Sequence, residues 1–533
     1  MNGKDGAKVK HPSMRRSVTS LAALYAISLM IASGCLVGWS SSEPEANAAD
    51  ASAPQRSSRE PSPRSSQQAA GQLYTARKPA FDPVKVNGQF FQGWKKPKVA
   101  IVITGRQDGY LEPCGCAGLE NQKGGLSRRH AMLKELAKRG WPLAPIDVGN
   151  QVRRFGRQAE IQFSISAEAL KKMGYQAVGL GPDDLRLSAG TVAAAAQEND
   201  IFVSANASVL GLTPTHRIFE AGGMKIGITS IIGPDLQKEV NNPEIEFQPA
   251  SAALKKVLPD LEPCDFQILL AQSSVETAQE LAKAFKQFNV VVTSGGADEP
   301  PGRLMTAEGS KTPLVEVGHK GMYCVVLGLY DDARHPIRYQ RVALDSRYPN
   351  TSEMKQLMRQ YQEHLKDVGW EGLELRPTPH PRAATLGKFV GAANCKECHP
   401  TAWAKWHTTK HSHATESLTK LDPPRQYDAE CVSCHTTGWN PQEYFSYQTG
   451  FDGLKTTPHM VGNGCENCHG PGGNHVAAEK GKNRKKREDL RAAMRLTQAA
   501  AQDSICGKCH DLDNSPHFDF AKYWPLVEHK GKR

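Results

Sequence analysis

Long hydrophobic runs are scarce in this 533-residue chain: one stands near the start, from Leu21 to about Trp39. Composition excludes a multi-span membrane protein, and equally a collagen-like or coiled-coil one. Aromatic residues are few, at 7%. With 39% hydrophobic and 23% charged residues the bulk is globular, and the length exceeds one ordinary core, so two or three domains are expected. An evenly spread charge is missing too. The net charge is +11, with the excess concentrated in residues 1–96 and in Lys480–Arg487. Nucleic-acid recognition needs a basic folded face with aromatic or groove-reading partners. Here there are basic tails and a basic loop, so no nucleic-acid partner is expected. A disulfide framework is absent as well. Eight of the thirteen cysteines fall in one repeated motif, and the rest (Cys35, Cys114, Cys116, Cys264, Cys324) are odd in number.

What is present begins with Met14-Arg15-Arg16 and the apolar stretch after it, the n-region and h-region of an export signal. Three fates remain open. Ala46-Asn47-Ala48 is an A-x-A cleavage site, Ala32-Ser33-Gly34-Cys35 is a weak lipoprotein box, and the stretch is nearly long enough to stay as a membrane anchor. Residues 40–80 are rich in Ser, Pro, Ala, Arg and Gln without apolar periodicity, the composition of a disordered linker, which we extend to residue 96.

From Val99 the pattern changes to short apolar runs alternating with helical stretches. Strands are expected at Val99–Thr104, Leu143–Val148, Gln176–Leu180, Ile201–Ala205, Lys225–Ile232, Phe266–Ala271, Val290–Thr293, Tyr323–Tyr330 and Arg338–Leu344. Helices are expected at Ser127–Arg139, Ile161–Met173, Val275–Phe288 and Ser352–Val368. Alternation of this kind predicts an α/β layered domain over 97–385. After the Pro-rich break at Pro377–Arg382 regular periodicity fades, and 386–533 reads as a second, mainly α and irregular domain.

That second domain carries four Cys-x-x-Cys-His pentads: Cys395/Cys398/His399, Cys431/Cys434/His435, Cys465/Cys468/His469 and Cys506/Cys509/His510. Two thiols three apart add across the two vinyl groups of one haem, and the next histidine then reaches the iron as proximal ligand. Chance would supply roughly 0.01 such pentads in a chain of this composition. Zinc would need two Cys-x-x-Cys pairs per site but no histidine after each. The pentads therefore predict four covalent haem c groups and an extracytoplasmic, periplasmic protein, where such haem is attached. So many haems in so short a segment leave little room for a separate apolar core. Seven further histidines (His407, His411, His413, His459, His475, His517 and His529) are available as sixth ligands.

The surroundings of the pentads resemble the multihaem cytochrome c family of the cytochrome c-554 type. The carriers are Cys395-Lys-Glu-Cys-His-Pro400 with Trp403 and Trp406, His411-Ser-His413-Ala, Cys431-Val-Ser-Cys-His-Thr-Thr-Gly-Trp439, Gly464-Cys-Glu-Asn-Cys-His-Gly-Pro-Gly472 with His475, and Cys506-Gly-Lys-Cys-His510 with His529. The resemblance covers about 388–531. It implies electron transfer to and from redox partner proteins, with distal histidines drawn from His411 or His413, His475 and His529. It also implies that one haem can be five-coordinate.

Residues 98–345 resemble the UshA-like 5′-nucleotidase branch of the metallophosphoesterases, through Gly124-Gly125-Leu-Ser-Arg128-Arg129, Ile146-Asp-Val-Gly-Asn150, Ser204-Ala-Asn206 and Gly223-Met-Lys-Ile-Gly227. That family holds two metals with His, Asp and Asn ligands. The matching positions here read Gly105-Arg106-Gln107-Asp108-Gly109, Gly149-Asn150, Gly181-Pro182-Asp183-Asp184, Leu270-Ala271-Gln272 and Gly295-Gly296-Ala297-Asp298, with every histidine gone. Glu112-Pro-Cys114-Gly-Cys116 instead stands after the first strand, where α/β sheets bind ligands. A related UshA-like branch carries Cys-x-Cys here, so Cys114 and Cys116 are the candidate thiol pair, with Arg106, Arg128 and Arg129 nearby to lower a thiol pKa. The expectation is an electron carrier whose degenerate α/β domain docks a partner or does thiol chemistry. Two enzymatic alternatives stay open: a hydrolase with an unusual metal set at Asp108, Asp147, Asp183 and Asp184, and a reductase with an open haem.

Overall fold

The computed structural model describes residues 81–113, 122–511, 514–515 and 518–529. The export segment with Cys35 and Ala46–Ala48, the stretch up to residue 80, the thiols Cys114 and Cys116, and His517 lie outside the described residues. Residues 79–533 form one compact unit.

Val99–Thr104 (β1) is apolar until its last position and buried along its whole length, as a strand covered on both faces must be. It runs parallel to Leu143–Asp147 (β2), which runs parallel to Ala177–Val178 (β3). Six strands then build a second sheet: His216–Ala221 (β4), Met224–Ile232 (β5), Phe266–Gln272 (β6), Val290–Thr293 (β7), Met305–Thr306 (β8) and Pro313–Glu316 (β9), in the order β8-β9-β7-β6-β5-β4. The chain returns to the first sheet with Tyr323–Leu329 (β10) and Ile337–Ala343 (β11), giving the order β11-β10-β1-β2-β3.

The period-2 alternation of β1 assigns its two faces. Val99, Ile101 and Ile103 meet Ile226, Ile228, Ile268, Leu270 and Val292 between the two sheets. Ala100 and Val102 look outward to helices Leu126–Lys138 (α1) and Arg157–Lys172 (α2), with Met132, Leu136, Phe163 and Leu170. The far face of the second sheet is covered by Ala250–Leu261 (α3) and Val275–Ala284 (α4) through Leu254, Leu261, Leu281 and Ala282. Ser352–Gly372 (α5) closes the first face with Leu357, Tyr361 and Leu365. The result is a helix–sheet–sheet–helix sandwich, in which each fully buried Val or Ile contributes about 2 kcal/mol.

Three expectations change. Ile201–Ala205 is buried up to Ser204 but joins β3 only through an isolated bridge at Phe202. Its amides split between sheets, Val203 N–H donating to Val178 and Ala205 N–H to Ser230 of β5, so no ladder forms. The helix expected over Val275–Phe288 stops at Ala284, where Phe285 leaves helical geometry and both Phe285 and Phe288 turn into the core. The end of the expected linker is ordered: Phe91 is buried and Trp94 stacks on Trp141 at 5.9 Å. Three aromatics within five residues supply the apolar area that the linker composition upstream lacks.

Beyond residue 386 the chain is mostly short helices, among them Ala429–His435 (α6), Cys465–His469 (α7), Gly473–Lys480 (α8) and Arg484–Ala493 (α9). The main buried apolar cluster there is small: Phe389, Leu418, Ala429, Val432, Trp439, Phe451 and Met460. Helix α6 is bound to the α/β layer by polar contacts. Gln158 of α2 and Gln362 of α5 donate to Asp428 at 2.8 and 3.2 Å, Gln162 donates to Glu430 at 3.3 Å, and Arg425 pairs with Glu112. Arg154 lies 3.8 Å over the Tyr444 ring and donates to the Gln442 carbonyl. Among the described residues no helix is long and apolar enough to cross a membrane.

Asp184 fastens the loops at the carboxyl ends of β2 and β3. One oxygen accepts the N–H groups of Gln151 and Val152, the other those of Asn150 and Gly181, at 2.7–3.2 Å. Burial nevertheless pushes its carboxyl up to about 7. Asp184→Asn would turn an amide NH2 against two of those donors. We expect a loss of about 3 kcal/mol, read as a lower urea midpoint; an unchanged midpoint would show the clasp to be idle.

Candidate functional site

Each pentad is close to one helical turn, so the histidine four residues after the first cysteine returns to the same face. The His399 and His510 amides donate to the carbonyls of Cys395 and Cys506, both at 2.9 Å, while α6 and α7 contain the other two pentads whole. All eight pentad cysteines are free of disulfides. Glu466, inside the third pentad, is 2% exposed and accepts the amides of Val390, Gly391 and Gly472 at 2.6–3.1 Å. It clasps the third pentad to the chain entering the first.

An imidazole binds a metal only when neutral, and through the nitrogen its other hydrogen bond leaves free. His435 Nδ1 donates to the Ala414 carbonyl at 2.8 Å and His469 Nδ1 to the Met494 carbonyl at 2.7 Å. A carbonyl only accepts, so both rings carry the proton on Nδ1 and keep Nε2 for a metal. His510 Nδ1 lies 3.0 Å from the Ser515 hydroxyl. Burial holds His435, His469, His475 and His510 below the usual histidine range. Burial, with His510 and His435 beside it, lowers His411 to about 4. These rings are neutral near pH 7.

Three pentad histidines each face a second imidazole. His399 and His475 are 6.3 Å apart by ring centroid, His510 and His411 6.0 Å, and His469 and His529 5.9 Å. Two imidazoles bound at about 2 Å on opposite sides of one metal have centroids about 6 Å apart. The residues present therefore fit an axial pair of haem ligands at three pentads. Of the two candidates His411 and His413, the fold brings His411 to a pentad. His413 lies 5.6 Å from His407 and pairs with Glu416 at 3.3 Å. Among the described residues no group of three or more His, Cys, Asp or Glu is gathered as a bare metal ion would need.

The sulfurs connect the pentads. Cys395 contacts Cys465, which pushes the Cys395 thiol up and the Cys465 thiol down. Cys434 contacts Cys509, and Cys506 acts electrostatically on Cys468.

At the carboxyl ends of β1 and β2 the acids named for the alternative metal site are engaged with one another and with the chain. Asn150 Nδ2 donates to Asp108 at 2.9 Å and to Asp183 at 3.3 Å, and Arg186 donates to Asp183 at 3.1 Å. Asp147 accepts from Thr104, Gly149 N–H and Gln151, and the fully buried Arg129 guanidinium lies 3.7 Å away. Arg106, Asp108 and Asn150 all have left-handed backbone, at φ 48°, 51° and 65°, strain that clusters at specialised sites. Arg128 is buried and donates to the Gln122 and Leu344 carbonyls, so it faces inward. Cys264 is half-buried, and Cys324 is buried in β10 with its thiol pushed up by burial to about 12.

The clasp at Glu466 and the carbonyls of Ala414 and Met494 are the site residues that motif spacing misses. Every residue has a carbonyl, and the middle positions of a pentad are read as free.

Residues 394–470 match the family described as Cytochrome c554 and c-prime. Cytochrome c-554 of Nitrosomonas europaea is 33% identical over 150 residues, covering 24% of this chain and 60% of the relative. The chain thus spans under two thirds of the curated relative it matches. The C-terminal segment is similar to a cytochrome c, which implies covalent haem c. By fold, the α/β layer is similar to a 5′-nucleotidase precursor from Thermus thermophilus (TM-score 0.44, 18% identity, 51% of this chain and 59% of that one). It is also similar to the sulfate thiohydrolase SoxB of the same organism (0.42, 11%, 51% and 62%) and to the calcineurin-like phosphoesterase YfkN of Bacillus subtilis (0.38, 14%, 52% and 98%). At these identities nothing of those proteins' chemistry transfers.

The axial pairs give a spectroscopic expectation. His411→Ala, His475→Ala and His529→Ala should each turn one low-spin haem signal high-spin in EPR, and His413→Ala should turn none. A spin change in the His413 variant, or none in the other three, would contradict the pairing.

Proposed function

We propose that the chain is an exported tetrahaem c-type cytochrome that transfers electrons, with a non-hydrolytic α/β layer that docks a partner or carries thiol chemistry. The three facing imidazole pairs are the observation that supports this most. Bound haem supplies a reversible one-electron iron couple, whose potential is set by axial ligands and burial. The chain's part is to hold its imidazoles neutral, fix their tautomers and space the pentads. His399 with His475, His469 with His529 and His510 with His411 would hold three irons, and His435 the fourth. The sulfur contacts support a close approach of the first pentad to the third and of the second to the fourth.

Two-metal hydrolysis needs ligands free to fix two ions. The hydrogen bonds at Asp108, Asp147, Asp183 and Asp184, and the missing histidines, do not fit that centre. For the thiol reading the support is placement. Glu112, two residues before Cys114, is ion-paired to Arg425, which stands six residues before Cys431.

Reductive titration of the matured full chain should consume four one-electron equivalents at the irons; fewer would contradict the tetrahaem reading. A Cys114→Ser/Cys116→Ser variant should take up the same four, yet be reduced by dithiothreitol at a changed rate. An unchanged rate would remove the thiol role and leave docking.

A further inference from the structure

Resting on the electron-transfer reading above, we infer that the exposed cationic surface of α9 and its leading turn is the dock for an acidic redox protein exchanging electrons at the first pentad.

The first and second pentads differ in access. The second pentad lies on α6, which is held against α2 and α5 through Asp428, Glu430, Gln158, Gln162 and Gln362. In the first pentad Cys398 and His399 are exposed. Its axial partner His475 sits on α8, and α9 is strapped to α8 beside it. Arg491 of α9 holds Glu479 of α8 by two hydrogen bonds of 2.7 Å, and Glu479 lies 3.8 Å from His475 Nδ1. Leu490 of α9 packs against Ala478 and Leu386. The helix is therefore fixed relative to the iron ligand, and is not a loose tail.

Its outer surface carries an unbalanced charge. From Lys480 to Arg495 there are eight cations and two acids. Glu488 is taken by Arg484 at 2.8 Å, and Arg487 turns back to the Gly481 carbonyl. Lys480, Lys482, Lys485 and Lys486 are exposed and, among the described residues, form no ion pair with an acid. Asn483 caps the helix by accepting the Lys486 amide at 2.9 Å, which holds these lysines in place despite their repulsion. Lys388 and Lys396, the latter inside the first pentad, are exposed as well. Like charges held rigidly next to an exposed electron-transfer end steer an oppositely charged partner and raise its association rate. The fixed helix and the adjoining iron ligand favour a folded acidic protein over a lipid surface or a polynucleotide, which need no redox end.

The test uses the haem-loaded full chain and Lys482→Glu/Lys485→Glu/Lys486→Glu, all exposed positions, with flavodoxin hydroquinone as the acidic protein donor and a neutral lumiflavin semiquinone as control. The variant should be reduced by flavodoxin about tenfold or more slowly at low ionic strength. The difference should collapse near 1 M salt, where the Debye length is about 3 Å. The lumiflavin rate should not change. Equal flavodoxin rates in the two proteins would overturn the dock while leaving electron transfer intact. So would retention of the unsubstituted chain by phosphatidylserine vesicles or single-stranded DNA through these lysines with no effect on the flavodoxin rate. Failure of lumiflavin to reduce either protein would remove the electron-transfer reading itself, and the dock with it.

Discussion

An imidazole can serve as a haem ligand only if it is uncharged and presents the correct nitrogen, and two that share one iron must stand about 6 Å apart, ring to ring. Much of the arrangement beyond residue 386 answers to that constraint. Burial keeps the rings of His411, His435, His469, His475 and His510 neutral, and the carbonyls of Ala414 and Met494 fix two tautomers. Glu466 clasps the third pentad to the approach of the first, and α8 carries His475 back over His399. A segment with so few buried apolar side chains of its own would be poorly stable as a bare chain. Covalently attached haem would supply the missing apolar surface there, which would make cofactor attachment and folding one problem.

The α/β layer meets a different demand. Its two sheets bury a continuous aliphatic interface, and the carboxyl ends of β1, β2 and β3 converge as they do in ligand-binding α/β folds. Yet the polar groups at that convergence satisfy one another. Asp184 accepts four amides, Asn150 links Asp108 to Asp183, and Arg129 neutralises Asp147. A buried charge must be paired or bonded, and here the pairing is internal. The layer instead turns α2 and α5 toward α6, so the second pentad is covered by protein while Cys398 and His399 of the first face outward.

Much of this was legible in the sequence, unevenly. Strands such as Val290–Thr293, whose apolar run is continuous, read directly. The lost histidines of the α/β layer are legible as absences. Ile201–Ala205 misled because an apolar run reports burial and not pairing, and this one divides its amides between two sheets. The choice of His411 over His413 was beyond reach, since both are flanked by the same local pattern and only the fold brings one to His510. The basic run at Lys480–Arg487 looked like a loop because its helix is held by Arg491 and Leu490, outside the run itself.

The account depends most on the four pentads each binding one haem. The direct measurement is the pyridine haemochrome content of the chain matured in a host competent for c-type haem, paired with its intact mass. Four haems per chain, all retained after denaturation, is the predicted result. Fewer than four, with unmodified pentad cysteines in the mass spectrum, would contradict it.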